Sequence, residues 1–179
     1  MTSHRVSQLA WDDPALQVPS DDRRTARHRL QQSWYRQHVL GAPHGDVGSM
    51  LDVGYVKTHP WVNFIDDAAY GHASRRAVEV QREGGALEPK RLRHNMLSSM
   101  PMCFNLFGSL GQQIQFIELV RAVFDPSAAS VESVVCEFRP ATHVINDRTA
   151  FDAAIGYLDS AGRRVLCGVE TKYTEPFST

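Results

Sequence analysis

The stretch from Thr149 to Glu175, TAFDAAIGYLDSAGRRVLCGVETKYTE, constrains the fold more than any other part of the chain. Both of its arms are rich in β-branched and aromatic residues, and Ser160-Ala161-Gly162 between them is a turn signal. A three-residue hairpin loop usually places a left-handed residue last, and Gly162 is suited to that position. The stretch therefore predicts a β-hairpin.

The register of this hairpin sets two acidic side chains against each other. If Asp159 and Arg163 flank the loop, Asp152 faces Glu170, and alternation along the second arm puts Lys172 on the same face. Like charges directly opposite each other in a sheet are destabilising, whereas a shared cation converts the repulsion into a binding site. Mg²⁺ usually uses one or two carboxylates and keeps several waters. Two interpretations are open: a metal site, or a solvated face on which Lys172 screens the two acids.

The whole chain has the composition of an ordinary globular protein. Its 179 residues suggest one domain, and its formal net charge of −1 provides no global basic field for nucleic acid, so local basic patches would be needed. The three cysteines have no CxxC spacing, which indicates reduced, buried thiols. The first residues lack the apolar region of a secretory signal, and no apolar run approaches a membrane span. We therefore expect a cytoplasmic protein without a membrane partner.

Helical patterns fill the chain before a strand and the hairpin. The predicted elements are a helix after Ser20-Asp21-Asp22, a helix within Trp61–Glu83 that Asn63 or Asp66 opens, a helix from about Ser99, a helix in QQIQFIELVRAVFDP, and a strand over Ser130–Arg139. We expect the apolar stripe of the first helix to consist of Leu30, Trp34, Tyr35 and Val39.

Two segments are locally basic. Arg23, Arg24 and Arg27 lie in the first predicted helix. A second group, Lys90, Arg91 and Arg93, lies in a connector. Such a run is usually a solvated surface. The alternative is a phosphate-contacting surface, which strengthens binding to nucleic acid without reading its sequence.

Three segments carry a resemblance to a known family: CFNLFG at Cys103–Gly108, DRTAFD at Asp147–Asp152 and VETKYTE at Val169–Glu175. An acid, a variable gap and then Glu-x-Lys on the next strand resembles the PD-(D/E)xK nuclease superfamily. More closely, the segments resemble its uncharacterised restriction-endonuclease family, over roughly residues 90–179. The resemblance implies an α/β (α+β) fold with a restriction-endonuclease-like core, in which helices precede a mixed sheet with a catalytic hairpin. Residues 1–90 are then a helical region and 91–179 the core, unless the chain is one compact domain.

The resemblance also assigns roles to individual residues. It implies that Asp152 and Glu170 bind Mg²⁺, for which Mn²⁺ can substitute, with the carbonyl of Thr171 as a third ligand. Lys172 would orient or activate the attacking water, and Glu118 is the candidate for an additional helix acid. The implied function is a Mg²⁺-dependent endonuclease that hydrolyses phosphodiester bonds in DNA, in restriction or defence.

One departure from the superfamily pattern leaves a second function open. In the superfamily a crossover helix and a further strand follow the lysine strand, whereas seven residues follow Lys172 here. We therefore expect either an incomplete core after Thr179 or N-terminal helices that cover the sheet edge. An uncovered edge favours association, here a homodimer. The alternative function is a non-catalytic module of the nuclease fold that binds nucleic acid or a protein partner.

Overall fold

A computed structural model describes the chain at residues 18–85, 87–109, 111, 115–140 and 150–174. Its helices and strands, in chain order, are α1 (Arg23–His38), α2 (Val53–Thr58), α3 (Asp67–Arg82), α4 (Pro89–Arg93), α5 (Ser99–Cys103), a π-helix (Phe104–Gly108), α6 (Phe116–Val123), β1 (Ala128–Phe138), β2 (Phe151–Asp159) and β3 (Arg164–Val169). Helices preceding a β-sheet give the predicted α+β class. Among the described helices, none has the length and apolar character needed to cross a membrane.

The chain divides into two compact units whose segments alternate along the sequence. The first unit takes its described residues from 1–63, 88–101 and 172–179, and the second from 64–87 and 102–171. The first unit holds α1, α2 and α4, and the second holds α3, the π-helix, α6 and the sheet. The boundary after Thr171 separates the hairpin from Lys172.

Helix α1 begins where the sequence predicts. Asp22 adopts an extended backbone conformation, and its carboxylate accepts hydrogen bonds from the backbone N–H groups of Arg24 (2.8 Å) and Thr25 (3.0 Å). These bonds satisfy donors that the first helical turn leaves without an intrahelical partner.

The inward side of α1 differs from the prediction. Its buried residues are Ser33 and Arg36, whereas Trp34 and Tyr35 of the predicted apolar stripe are 43% and 44% exposed. The buried guanidinium of Arg36 donates to the carbonyl oxygens of Gly48 and Ala42, in the loop that follows the helix. The predicted stripe was wrong because hydrogen bonding to loop carbonyls, rather than apolar periodicity, determines which side of this helix faces inward.

The sheet has the order β1-β2-β3, and the β2–β3 hairpin has the predicted register. Its paired residues run from Leu158–Arg164 at the turn to Ala153–Val169 at the open end. Gly162 in the turn has φ +77°, the left-handed conformation expected at that position. Leu166, Gly168 and Glu170 are exposed, in agreement with the predicted alternation of faces.

The hairpin turn is closed by the carboxylate of Asp159. It accepts from the backbone N–H groups of Arg163 (2.8 Å) and Ala161 (2.9 Å) and pairs with the Arg163 guanidinium at 2.6 Å. These contacts hold the pKa of Asp159 below its ordinary value, and the hydrogen bond from the Arg163 backbone N–H has the largest effect. The turn is therefore fixed by side-chain as well as backbone contacts.

The described strand pairs are all antiparallel, whereas the sequence predicted a mixed sheet. A parallel pair needs a crossover of a dozen or more residues, usually a helix. Strands β2 and β3 are joined by the short turn around Gly162. They are therefore restricted to antiparallel pairing.

The helices between Asp66 and the sheet agree with the predicted patterns in part. Helix α3 begins at Asp67 with Asp66 as its cap, so the second of the two predicted opening residues is confirmed. The helix that starts at Ser99 continues from Phe104 to Gly108 as a π-helix, which the sequence did not predict. Helix α6 begins at Phe116, and residues 112–114 of its predicted pattern lie outside the described residues.

Candidate functional site

The open end of the hairpin is held by contacts between Asp152 and Thr171. Oδ2 of Asp152 accepts from the backbone N–H of Thr171 at 2.7 Å and from its hydroxyl at 2.9 Å. Strand β3 ends at Val169, so Glu170, Thr171 and Lys172 follow the strand instead of continuing it as predicted. The ladder stops here because the Thr171 N–H donates to a carboxylate in place of a strand carbonyl.

The three predicted catalytic residues differ in their surroundings. Asp152 is half-buried, and continuation of the hairpin register places Glu170, which is exposed, opposite it. Thr171 between Glu170 and Lys172 is buried. Lys172 is the next residue along the chain, is half-buried and belongs to the first unit. Its other neighbour, Tyr173, contacts α1: the Tyr173 hydroxyl accepts from Gln32 at 2.8 Å.

The backbone of Asp152 has a separate support from the CFNLFG segment. Cys103, the first residue of that segment, is fully buried and donates from Sγ to the Asp152 carbonyl oxygen at 2.8 Å. The hydrogen bond with Cys136 and burial raise the pKa of the Cys103 thiol far above its ordinary value, and the charges of Asp152 and Glu137 act in the same direction. The thiol therefore remains protonated and serves as a donor, not as a nucleophile.

On the other side of β2, the backbone of Glu137 is in the left-handed region, with φ +52°. Glu137 lies between the pairs Cys136–Ala153 and Phe138–Phe151, so the β1–β2 register places it opposite Asp152. A left-handed conformation is uncommon for a residue other than glycine and persists only where the surroundings enforce it. The backbone next to the candidate site is therefore held in an unfavourable conformation.

Arg76 of α3 fixes this conformation. Its guanidinium donates from Nε to the Cys136 carbonyl and from Nη2 to the Glu137 carbonyl, both at 3.0 Å. The side chain is only 6% exposed and is ion-paired with Glu83 at 2.8 Å and Glu79 at 3.1 Å. The sequence analysis missed Arg76, although it shares the buried helical spacing of Ala69, Ala73 and Val80.

The remaining predicted site residues lie on helices outside the hairpin. Glu118 is exposed on α6, and no hydrogen bond or ion pair among the described residues joins it to Asp152. Arg23, Arg24 and Arg27 are exposed on α1. Of the connector residues, Lys90 pairs with Asp46 at 2.8 Å, Arg91 is exposed and Arg93 is half-buried.

The carboxylate and carbonyl oxygens at the open end of the hairpin are ligands that suit a hard cation. In the part of the chain that the structure describes, no group of three or more His, Cys, Asp or Glu side chains is arranged to hold a metal ion. Both hydrogen bonds from Thr171 to Asp152 reach Oδ2, so the carboxylate is held at the end of the strand that leads to Glu170. One or two carboxylates with several waters is the ligand set of Mg²⁺. The residues present therefore fit a divalent ion that retains much of its hydration.

Comparison with families of known proteins gives a match that covers most of the chain. A family model described as the PD-(D/E)XK nuclease superfamily matches residues 19–179. No curated protein and no solved structure matches the chain. The matched range includes α1 as well as the hairpin, so it extends well beyond the residues on which the sequence resemblance was based.

Proposed function

This chain belongs to the PD-(D/E)XK nuclease superfamily, and we propose from this premise that it is a Mg²⁺-dependent nuclease that hydrolyses phosphodiester bonds in DNA. Membership of the superfamily suggests nuclease activity and, in general, nucleic-acid binding and use of a divalent metal. The choice of Mg²⁺ rests on the donor set described above. The choice of DNA rests on the resemblance to a restriction-endonuclease family.

The pairing of β2 with β3 is the observation that carries the proposal. Its register brings Asp152 to the segment that contains Glu170 and Thr171, and the two bonds from Thr171 hold the Asp152 carboxylate there. In metal sites, hydrogen bonds from neighbouring residues orient the ligating carboxylates, and the two bonds from buried Thr171 would do the same for Asp152. A solvated hairpin face requires no such support.

The residues at this end of the hairpin, and Lys172 directly after it, have separate roles in the proposed reaction. Asp152 and Glu170 hold the cation, and the carbonyl of Thr171 is the third ligand that the family pattern offers. When bound, the cation screens the phosphate charge and lowers the pKa of a coordinated water. Lys172 orients the attacking water and stabilises the negative charge that grows on the phosphate in the transition state.

Cleavage of plasmid and single-stranded DNA tests the proposal directly. We expect nicking or linearisation with Mg²⁺ or Mn²⁺ and none with EDTA, because the carboxylates need a cation to bind the anionic phosphate. Gel electrophoresis of supercoiled plasmid measures the rate. Binding of DNA without cleavage at any divalent-ion concentration would instead identify a non-catalytic module and refute the proposal.

Thr171→Val is expected to weaken the response to divalent ions while the protein stays folded. Valine keeps the shape and the backbone N–H but removes the hydroxyl that donates to Asp152. Loss of an outer-shell partner typically costs about 10–100-fold in metal affinity or activity. Titration of the cleavage rate with Mn²⁺ measures the change as a higher half-saturating concentration.

Thr58→Val is the matched control for this measurement. The Thr58 hydroxyl is exposed and donates to the Tyr55 carbonyl in α2. Its removal is expected to leave the Mn²⁺ dependence unchanged. Equal half-saturating concentrations for Thr171→Val and the unmodified protein would show that the hydroxyl does not support the cation site.

A further inference from the structure

The outer face of α1 combines cationic and aromatic side chains. Five of its side chains fall within about 120° of one another around the helix axis, at 3.6 residues per turn. They are Arg23, Arg24, Arg27, Trp34 and Tyr35. All five are exposed. The face is about 18 Å long, taken from 1.5 Å per residue. Three arginines in the first half of the helix are thus followed, on the same side, by two aromatic residues near its end.

The charged residues of this helix are all basic. Its sequence contains five arginines and no acidic residue, in a chain that has 19 basic and 20 acidic residues in total. Arg29 is paired with Asp21, and Arg36 is buried on the other side. Among the described residues, no ion pair involves Arg23, Arg24 or Arg27. The exposed face therefore complements a polyanion.

The aromatic residues restrict the kind of polyanion. The rings of Trp34 and His38 lie 5.2 Å apart, so Trp34 is supported on one side while 43% of it remains exposed. An exposed aromatic ring on the same surface as arginines is an arrangement in which unpaired bases stack on the ring while the cations contact the backbone. In a duplex the bases are stacked on each other and are not available to such rings.

The same helix contacts the segment that carries the proposed catalytic lysine. The ring of His28 lies 5.2 Å from that of Tyr173, and Gln32 donates to the Tyr173 hydroxyl. Tyr173 directly follows Lys172, and successive Cα atoms are about 3.8 Å apart. Nucleic acid on α1 would thus lie on an element that touches the chain next to Lys172.

We propose that the Arg23–Arg27 and Trp34–Tyr35 face of α1 binds an unpaired segment of the nucleic-acid substrate, an inference that takes its choice of partner from the proposed function. The arginines contact phosphates, and Trp34 and Tyr35 stack on bases. The sequence analysis considered the arginines alone as phosphate contacts. The exposure of the two aromatic residues adds the preference for single strands.

Fluorescence anisotropy with fluorescein-labelled oligothymidylate and a duplex of the same length tests this surface. EDTA in the buffer prevents cleavage, so binding is measured independently of catalysis. We expect tighter binding to oligothymidylate, and the double substitution Trp34→Ala/Tyr35→Ala, which removes two stacking rings, should weaken it at least roughly thirtyfold. The triple substitution Arg23→Gln/Arg24→Gln/Arg27→Gln should reduce the slope of log affinity against log salt by about 2, since each single-strand phosphate contact contributes about 0.7.

Trp61→Ala and Arg82→Gln are the matched controls. Trp61 is 49% exposed in the same unit but lies outside α1, and Arg82 is an exposed arginine of α3. Both controls should bind oligothymidylate as the unmodified protein does. The inference is overturned if the α1 variants bind within twofold of the unmodified protein, if Trp61→Ala weakens binding equally, or if only the duplex is bound. Binding without cleavage in Mg²⁺ would leave this inference standing and refute the proposed function alone.

Discussion

Asp152→Asn is expected to reduce Mg²⁺-dependent cleavage by at least about 10²–10³-fold without unfolding the protein. Asparagine has nearly the same shape as aspartate, and its amide oxygen can still accept the two bonds from Thr171. What it loses is the negative charge that attracts a hard cation. The change therefore separates the charge of the site from its hydrogen bonding.

Lys172→Ala should reduce Mg²⁺-dependent cleavage by a similar factor, but for a different reason. The lysine charge acts on the phosphate in the transition state, so the rate constant should fall while the half-saturating Mn²⁺ concentration changes little. For Asp152→Asn the half-saturating concentration should rise as well. Single-turnover cleavage of plasmid across a Mn²⁺ series measures both quantities.

Two exposed residues provide controls for these substitutions. Asp67→Asn removes an exposed carboxylate from the unit that holds Asp152, and Lys57→Ala removes an exposed lysine from the unit that holds Lys172. Both should cleave at the rate of the unmodified protein, and circular dichroism should show all four variants folded. Cleavage by Asp152→Asn within tenfold of its control, or equal rates for Lys172→Ala and Lys57→Ala, contradicts the assigned roles.

The sequence predicted the hairpin well because its determinants are local. Gly162 supplies the left-handed turn residue, and alternation along the arms specifies which residues pair. The cap of α1 at Asp22 and that of α3 at Asp66 depend equally on residues within one helical turn. Such features can be predicted from a few neighbouring residues, and the same local register led to Asp152 and Glu170 as candidates.

The hydrogen bonds that hold the backbone of the candidate site could not be predicted, since they join residues distant in the chain. Cys103 reaches Asp152 across 49 positions, and Arg76 reaches Cys136 across 60. Nothing in the local sequence around Glu137 favours a left-handed backbone. In α1 apolar periodicity pointed to Trp34 and Tyr35 as the inward side, whereas the loop carbonyls that Arg36 satisfies decided it. Local patterns locate the candidate acid, and tertiary contacts hold it in place.

Arg76→Met is expected to lower the free energy of unfolding by about 2–5 kcal/mol. Methionine fills much of the same volume but leaves the carbonyls of Cys136 and Glu137 without their donor, and an unsatisfied buried polar group costs about 1–3 kcal/mol. The ion pairs contribute less, because Glu79 and Glu83 are 54% and 45% exposed and water screens them. Urea denaturation followed by circular dichroism measures the change.

The acid dependence of stability separates the two contributions of Arg76. Its hydrogen bond holds the pKa of Glu83 below the ordinary value, so this pair stabilises the fold fully at neutral pH and is lost as the pH falls through the lowered pKa. Arg76→Met should remove that part of the decline in stability toward acid pH. Glu83→Gln should remove it too, yet should cost less than about 1 kcal/mol at neutral pH, since the carbonyl contacts remain.

Arg76→Lys tests whether the planar guanidinium itself is required. A lysine ammonium is a compact charge and lacks the fixed fork with which Arg76 reaches two successive carbonyls of β1. We expect a loss of stability between those of Glu83→Gln and Arg76→Met, with a further fall in cleavage because Glu137 lies opposite Asp152. If both Arg76 variants are as stable as the unmodified protein, contacts other than the hydrogen bonds from Arg76 hold the left-handed backbone at Glu137.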